Sequence, residues 1–206
     1  MTSKIKVEDI KKLKELSGAG LTDAKNALVS AGGDFDKALA AMRKKGLTKA
    51  EKRGDRETRE GLIEGYVHDG RIGALVEVNC ETSFVAKTPE FKELAHYLAM
   101  QVASMSPLYV SESDIPKKEK KRVITEAEAE MKKDVKNAKK PAEVLAKIID
   151  GKVAKYFEDK VLLTQAYILD DSKTVGEFIK TYIAKTGENI SVRQFRRVEL
   201  GVTEGV

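Results

Sequence analysis

Few residues in this chain are suited to chemistry. Two histidines, His68 and His96, and one cysteine, Cys80, are the best candidates for nucleophilic or metal chemistry. They are too few to close a zinc site, which is normally four-coordinate. Cys80 and His96 could pair as nucleophile and base. However, Ala74, Val76, Val78 and Cys80 alternate along one stretch, and that parity turns the thiol to the core face of a strand, where it is usually inert. Glu77 and Glu81 share one strand parity and could converge, although exposed carboxylates at this spacing are ordinary. Ser17-Gly18-Ala19-Gly20 lacks the Gly-x-x-x-x-Gly-Lys-Ser/Thr pattern of a phosphate loop, and it follows a helical stretch where such a loop follows a strand. No catalytic constellation, metal-ligand set or nucleotide cradle emerges. The expected class is a binding protein with no cofactor of its own, not an enzyme.

The elements that could present a binding feature centre on Gly73 to Lys87. The alternation that includes Cys80 stops at Glu81. A polar pair, Thr82-Ser83, is followed at once by Phe84 and Val85, where a strand should hand over to a loop. Thr88-Pro89-Glu90 then opens a helix, with Thr as the cap, Pro at the first helical position and an acid beside the positive end of the dipole. Phe84 therefore sits at a strand-to-helix junction held on both sides. Two readings stay open: a local contact folded back onto the next helix, or a presented aromatic anchor for a pocket on another protein.

The remainder is soluble in character. Of 206 residues, 41% are hydrophobic and 34% charged, enough chain for one or two domains with a real core. No apolar run approaches the ~18 residues of a membrane span. The opening residues lack a secretory apolar block and are too acidic for a transit peptide. One cysteine excludes an intrachain disulfide, which suits a reducing cytosol, so a cytoplasmic location is expected. The net charge of +5 comes from 38 bases among 33 acids, so it implies no large field of one sign, and no direct nucleic-acid or membrane partner is expected.

Residues 5 to 46 read as three short helices. Val7, Ile10, Leu13 and Leu16 form one apolar stripe, Leu21, Ala24, Leu28 and Ala31 a second, and Phe35, Ala38, Leu39 and Met42 a third, capped by Asp34 and ended by Gly46. Helices this short need one another, so a small bundle is expected, similar to the ubiquitin-associated fold. Lys44 to Glu60 is nearly all charged and reads as a solvated linker with a helical start. Asp69-Gly70 between two alternating runs predicts a hairpin. Phe91, Leu94, Leu98 and Val102 form the helical face that should cover it. A polar helical stretch spans Glu126 to Asn137. Leu145, Ile149, Val153, Phe157 and Val161 keep a four-residue step that suggests one long core helix or two nearly collinear ones. Thr174 caps a further helix, and Ile190 to Glu199 is a third strand with edge-guarding charges. The expected architecture is α+β: a three-helix bundle and linker over residues 1–54, then a core of antiparallel sheet covered by helices over 55–206.

The stretch Ser17-Gly18-Ala19-Gly20-Leu21-Thr22-Asp23-Ala24-Lys25-Asn26-Ala27-Leu28, followed by Gly33-Asp34-Phe35-Asp36-Lys37-Ala38, resembles the N-terminal domain of the bacterial elongation factor Ts family. Glu81-Thr82-Ser83-Phe84-Val85-Ala86-Lys87 resembles that family's Thr-Asp-Phe-Val motif. The resemblance extends over nearly the whole chain. It implies a guanine-nucleotide exchange factor for the translational GTPase elongation factor Tu. The N-terminal helices would grip the partner's nucleotide domain while Thr82, Ser83, Phe84 and Val85 intrude beside its magnesium and phosphate site. Leu21, Thr22 and Lys25 match the family's N-terminal contact positions, with Lys14 on the preceding helix. Ser83 departs from the family's Asp, and Ala166-Tyr167 departs from a Gln-Pro-Phe-Val stretch. A chain this short resembles a short form that could pair with itself as a homodimer. Two rival readings remain: a ribosome- or RNA-associated adaptor using Lys117 to Arg122, and a generic peptide-binding module built on the first 46 residues.

Overall fold

A computed structural model describes residues 5–17, 19–133 and 141–202. Its centre is a hairpin of β1 (Glu60–His68) and β2 (Ile72–Cys80). Asp69 and Gly70 both take left-handed backbone angles, at φ 48° and 66°, and the Arg71 amide donates to the His68 carbonyl. This is the tight turn that Asp-Gly favours between strands. The third strand, β5 (Ile190–Glu199), pairs antiparallel on the other side of β2, giving the order β1-β2-β5. Ala74, Val76, Val78 and Cys80 are all buried, as their parity predicts. Over them lies a long helix beginning at Pro89, whose Phe91, Leu94, Leu98 and Val102 are fully buried. Burying each such side chain contributes about 1.5–3 kcal/mol. The opposite face of the sheet leaves Ile63, Val67, Leu75 and Val198 exposed.

The N-terminal bundle comprises α1 (Val7–Ser17), α2 (Leu21–Ser30) and α3 (Phe35–Glu51), around Leu13, Ala24, Leu28, Ala38 and Met42. Val7 and Leu16, expected in the first apolar stripe, are exposed, because a bundle this small covers only the middle of α1. Gly18, within the Ser17-Gly18-Ala19-Gly20 stretch after α1, lies outside the described residues. The third helix does not end at Gly46 but runs on to Glu51, so the first part of the expected linker is helix. Gly46 serves close packing instead: a Cβ there would meet the Ala184 Cβ at 3.2 Å. The extension carries Ala50 into the main core, and Lys180 reaches Glu51 at 2.9 Å.

After α4 (Ser83–Ala86) and α5 (Pro89–Met105), α6 (Lys117–Lys133) and α7 (Ala142–Glu158) pack on each other as a helical hairpin. Its cluster of Ile115, Val123, Val153, Phe157 and Val161 is separate from the sheet core. The four-residue step is thus one uninterrupted helix through Gly151 only from Leu145 to Phe157; Val161 lies beyond its end at Glu158, bridged to Tyr109, and the cluster it joins is this satellite rather than the main core. The polar stretch predicted from Glu126 to Asn137 is helical as far as Lys133, and the remainder lies outside the described residues. A small second sheet was not predicted: β3 (Ala166–Tyr167) pairs with β4 (Asp170–Thr174). Thr174 then caps α8 (Val175–Thr186) in a reciprocal capping box with Glu177. Among the described residues no helix is long and apolar enough to cross a membrane.

Candidate protein-binding site

The junction after β2 is a single helical turn, not a loop. Thr82 is its cap, and the Ala86 amide donates to the Thr82 carbonyl at 3.2 Å. Four residues cannot sustain a helix alone, so the turn is held by its surroundings. Ala86 is buried, and Val85 packs against the main core. The Thr88 hydroxyl donates to the Val85 carbonyl at 2.8 Å and accepts from the Phe91 amide at 3.2 Å, which joins the turn to the start of α5. With Val85 and Ala86 turned inward, helical geometry turns Phe84 outward, and it is 84% exposed. The local-contact reading of Phe84 is thereby overturned, since the inward packing falls to its two successors. Ser83 is half-buried beside it.

The base of the turn is tied to the segment after α8. Glu188 accepts from the Thr82 amide at 3.0 Å and from the Thr82 hydroxyl at 2.6 Å. In return the Asn189 amide donates to Glu81 at 2.6 Å, and the Asn189 side-chain amide donates to the carbonyls of Gly54 and Arg56. Arg56 reaches Glu81 at 3.4 Å. Glu188 and Asn189 were not predicted. The available signal was a helix-ending glycine, Gly187 at φ 80°, followed directly by two polar residues.

On the N-terminal bundle, Leu21, Thr22 and Lys25 lie exposed on the first turns of α2, and Lys14 is exposed on α1. Leu21, Lys25 and Val29 follow at four-residue steps, and the two apolar members are both more than half exposed. This apolar stripe is the face of α2 that the bundle leaves uncovered.

The remaining candidates have structural partners. The Cys80 thiol donates to the Thr82 carbonyl at 3.2 Å, and burial, followed by the Glu188 charge, pushes it up to about 11. His96 is occupied by Glu64 at 3.1 Å, so it does not pair with Cys80 as a nucleophile's base. Glu77 meets Gln194, while Glu81 meets Asn189 and Arg56, so the two carboxylates do not converge. Tyr167 is buried and stacks on Phe178 at 4.0 Å between ring centres. On α6, Arg122 is engaged by Glu119, Glu126 and Tyr156, whereas Lys117, Lys118, Lys120 and Lys121 are exposed. Among the described residues no group of three or more His, Cys, Asp or Glu could hold a metal ion.

A helical module with an exposed apolar stripe, joined to an α+β core that presents one braced aromatic residue, is the architecture of a protein-binding factor. A family model described as Elongation factor TS matches residues 49–201. Curated proteins named Elongation factor Ts are similar over nearly their whole length. The Thermotoga petrophila protein is 52% identical over 200 residues, covering 96% of each chain. That of Fervidobacterium nodosum is 47% identical over 199 residues, covering 96% of this chain and 98% of its own. That of Thermodesulfovibrio yellowstonii is 42% identical over 200 residues, covering 97% and 98%. The chain belongs to the elongation factor Ts family.

Proposed function

We propose that this protein is a guanine-nucleotide exchange factor for elongation factor Tu, working in the cytoplasm as a binding protein, not an enzyme. Family membership supports the general role. The observation that carries the mechanism is Phe84, almost fully exposed on a turn whose every other apolar side chain is turned inward. An isolated exposed Phe on a rigid base is suited to fill a pocket on a partner. The α2 face with Leu21, Thr22 and Lys25, flanked by Lys14, is the gripping surface. Thr82 and Val85 hold the turn, Phe84 enters beside the partner's magnesium and phosphate site, and Ser83 lies alongside. The driving principle is linkage: a factor that binds nucleotide-free Tu more tightly than GDP-bound Tu must weaken GDP by the same factor. Burying one Phe contributes about 1.5–3 kcal/mol, which corresponds to roughly ten- to a hundredfold in GDP affinity.

The test is release of GDP from purified elongation factor Tu with the full chain, with residues 1–54 alone, and without either. The full chain is expected to accelerate release, and the fragment, which carries the grip without the wedge, to bind weakly without accelerating it. No acceleration by the full chain would remove the exchange reading. Equal acceleration by the fragment would instead favour a self-sufficient helical module. Self-pairing would draw on the exposed apolar face of Ile63, Val67, Leu75 and Val198. Sedimentation velocity should then show a dimer that dissociates in Leu75→Glu, and a monomer at all micromolar concentrations would exclude it.

A further inference from the structure

We propose that Glu188 is a positioning residue for the exchange step: its carboxylate locks the Thr82 turn and thereby fixes the direction in which Phe84 projects. The inference rests on the reading of Phe84 as the inserted group. Within the turn itself little holds the backbone. At its start there is one backbone hydrogen bond, from the Ala86 amide to the Thr82 carbonyl, with the Lys87 and Thr88 amides reaching the Val85 carbonyl at its far end, and the cap bond from the Val85 amide to the Thr82 hydroxyl is long at 3.5 Å. A side chain on such a turn would swing with it. The strongest polar attachment comes from elsewhere in the chain. Glu188 takes both donors of Thr82, amide and hydroxyl, with one oxygen each. Charge-assisted pairs of this kind are shorter and about twice as strong as neutral ones.

The geometry that delivers this carboxylate is built into the end of α8. Gly187 takes the left-handed conformation at φ 80°, its amide closing the helix on the Ile183 carbonyl at 3.0 Å. That reversal brings Glu188 and Asn189 to face the end of β2, and the Asn189 amide fixes Glu81 from the opposite direction. The residue on each side of the junction is therefore held by a residue of the other segment. Neither the Glu188 carboxylate nor the Thr82 hydroxyl is needed to bury apolar surface; their shared contact serves the orientation of Ser83 and Phe84. Glu188 belongs to the same segment that anchors Gly54 and Arg56 through Asn189, so the turn is referenced to the region where α3 leaves the bundle.

Two measurements test the role. In the free protein, Glu188→Ala should speed amide hydrogen exchange at Thr82, Val85 and Ala86 by about tenfold or more, while the amides of α5 keep their rates. Unchanged rates at those three amides would overturn the proposal without reference to any partner. In stimulated GDP release, Glu188→Ala should lower the maximal rate by about three- to tenfold, and Glu188→Gln, which keeps one acceptor oxygen, by less. The decisive comparison is the double variant with Phe84→Ala. If Glu188 acts through Phe84, the double variant is no slower than Phe84→Ala alone. Losses that multiply would mean that Glu188 acts independently of the aromatic group, and the positioning role would fall. Loosened amides in a protein whose wild type does not accelerate GDP release would overturn the exchange reading and leave the lock itself standing.

Discussion

Phe84→Ala should slow stimulated GDP release more than tenfold, with a melting temperature within about 4 °C of the wild type. The two halves of this expectation come from one observation. At 84% exposure the ring contributes almost nothing to the core, so its loss costs the free protein little. In the complex the same ring would be an anchor, and truncating an anchor costs about 2–3 kcal/mol, where ~1.4 kcal/mol is tenfold in rate. Ser83→Asp, which brings in the Asp of the motif that this stretch resembles, is expected to change the rate by less than tenfold. A charge at the first position of the turn faces the helix dipole favourably, but the Glu188 carboxylate already occupies the adjoining Thr82 amide and would repel it. A Phe84→Ala protein that melts far lower while exchanging at the wild-type rate would make Phe84 a packing residue and end the wedge reading.

The sequence disclosed the parts of this architecture that rest on local rules. Strand parity placed Cys80 inside, Asp69-Gly70 made the hairpin, and Thr88-Pro89 opened the helix that covers it. What it could not disclose depends on distant partners. Gly46 carries the local signature of a helix end, yet the helix passes through it, and the missing side chain there makes room for Ala184 instead. The step from Leu145 shows a helical face that packs inward, but neither where the helix stops, three residues short of Val161, nor which core covers it. Phe84 was ambiguous for the same reason: periodicity cannot say which of three consecutive residues in a short turn faces out. The exposed Leu21 could be assigned a role only through the family resemblance, since its spacing fits a core position equally well. The Glu188 and Asn189 attachments join residues more than a hundred positions from their partners on β2 and its junction, where no pattern in one sequence connects them.

The second large effect should fall on stability, at Gln101. This residue lies on the buried face of α5 and is fully buried, as is Gln165. Its side-chain amide donates to Gln165 Oε1 and to the Ala166 carbonyl, both at 3.1 Å, and its Oε1 accepts from the Ile168 amide at 2.9 Å. Gln165 in turn donates to the carbonyls of Met105 and Asp159 at 3.2 and 2.7 Å. The pair thus satisfies backbone groups at three places: the end of α5 at Met105, the residue after α7 at Asp159, and β3 and the residue after it at Ala166 and Ile168. Gln101→Leu would keep the volume but strip three polar atoms of a partner in a place closed to water. Each buried unsatisfied group costs about 1–3 kcal/mol, so a loss of about 3 kcal/mol or more is expected. For a chain of this size that lowers the melting temperature by roughly 6–12 °C. Gln101→Glu separates hydrogen bonding from volume, because an ionised carboxylate can still accept from Ile168 but meets two carbonyl oxygens on its other side. Its folded-state pKa should therefore be raised above the unfolded value, with stability fully present below the unfolded pKa and lost as pH rises through the folded one. Calorimetry at pH 5 and pH 8 should show Gln101→Glu melting lower at the higher pH relative to wild type. A Gln101→Leu protein as stable as the wild type would mean that the backbone at β3 finds other partners, and that the paired glutamines do not hold it.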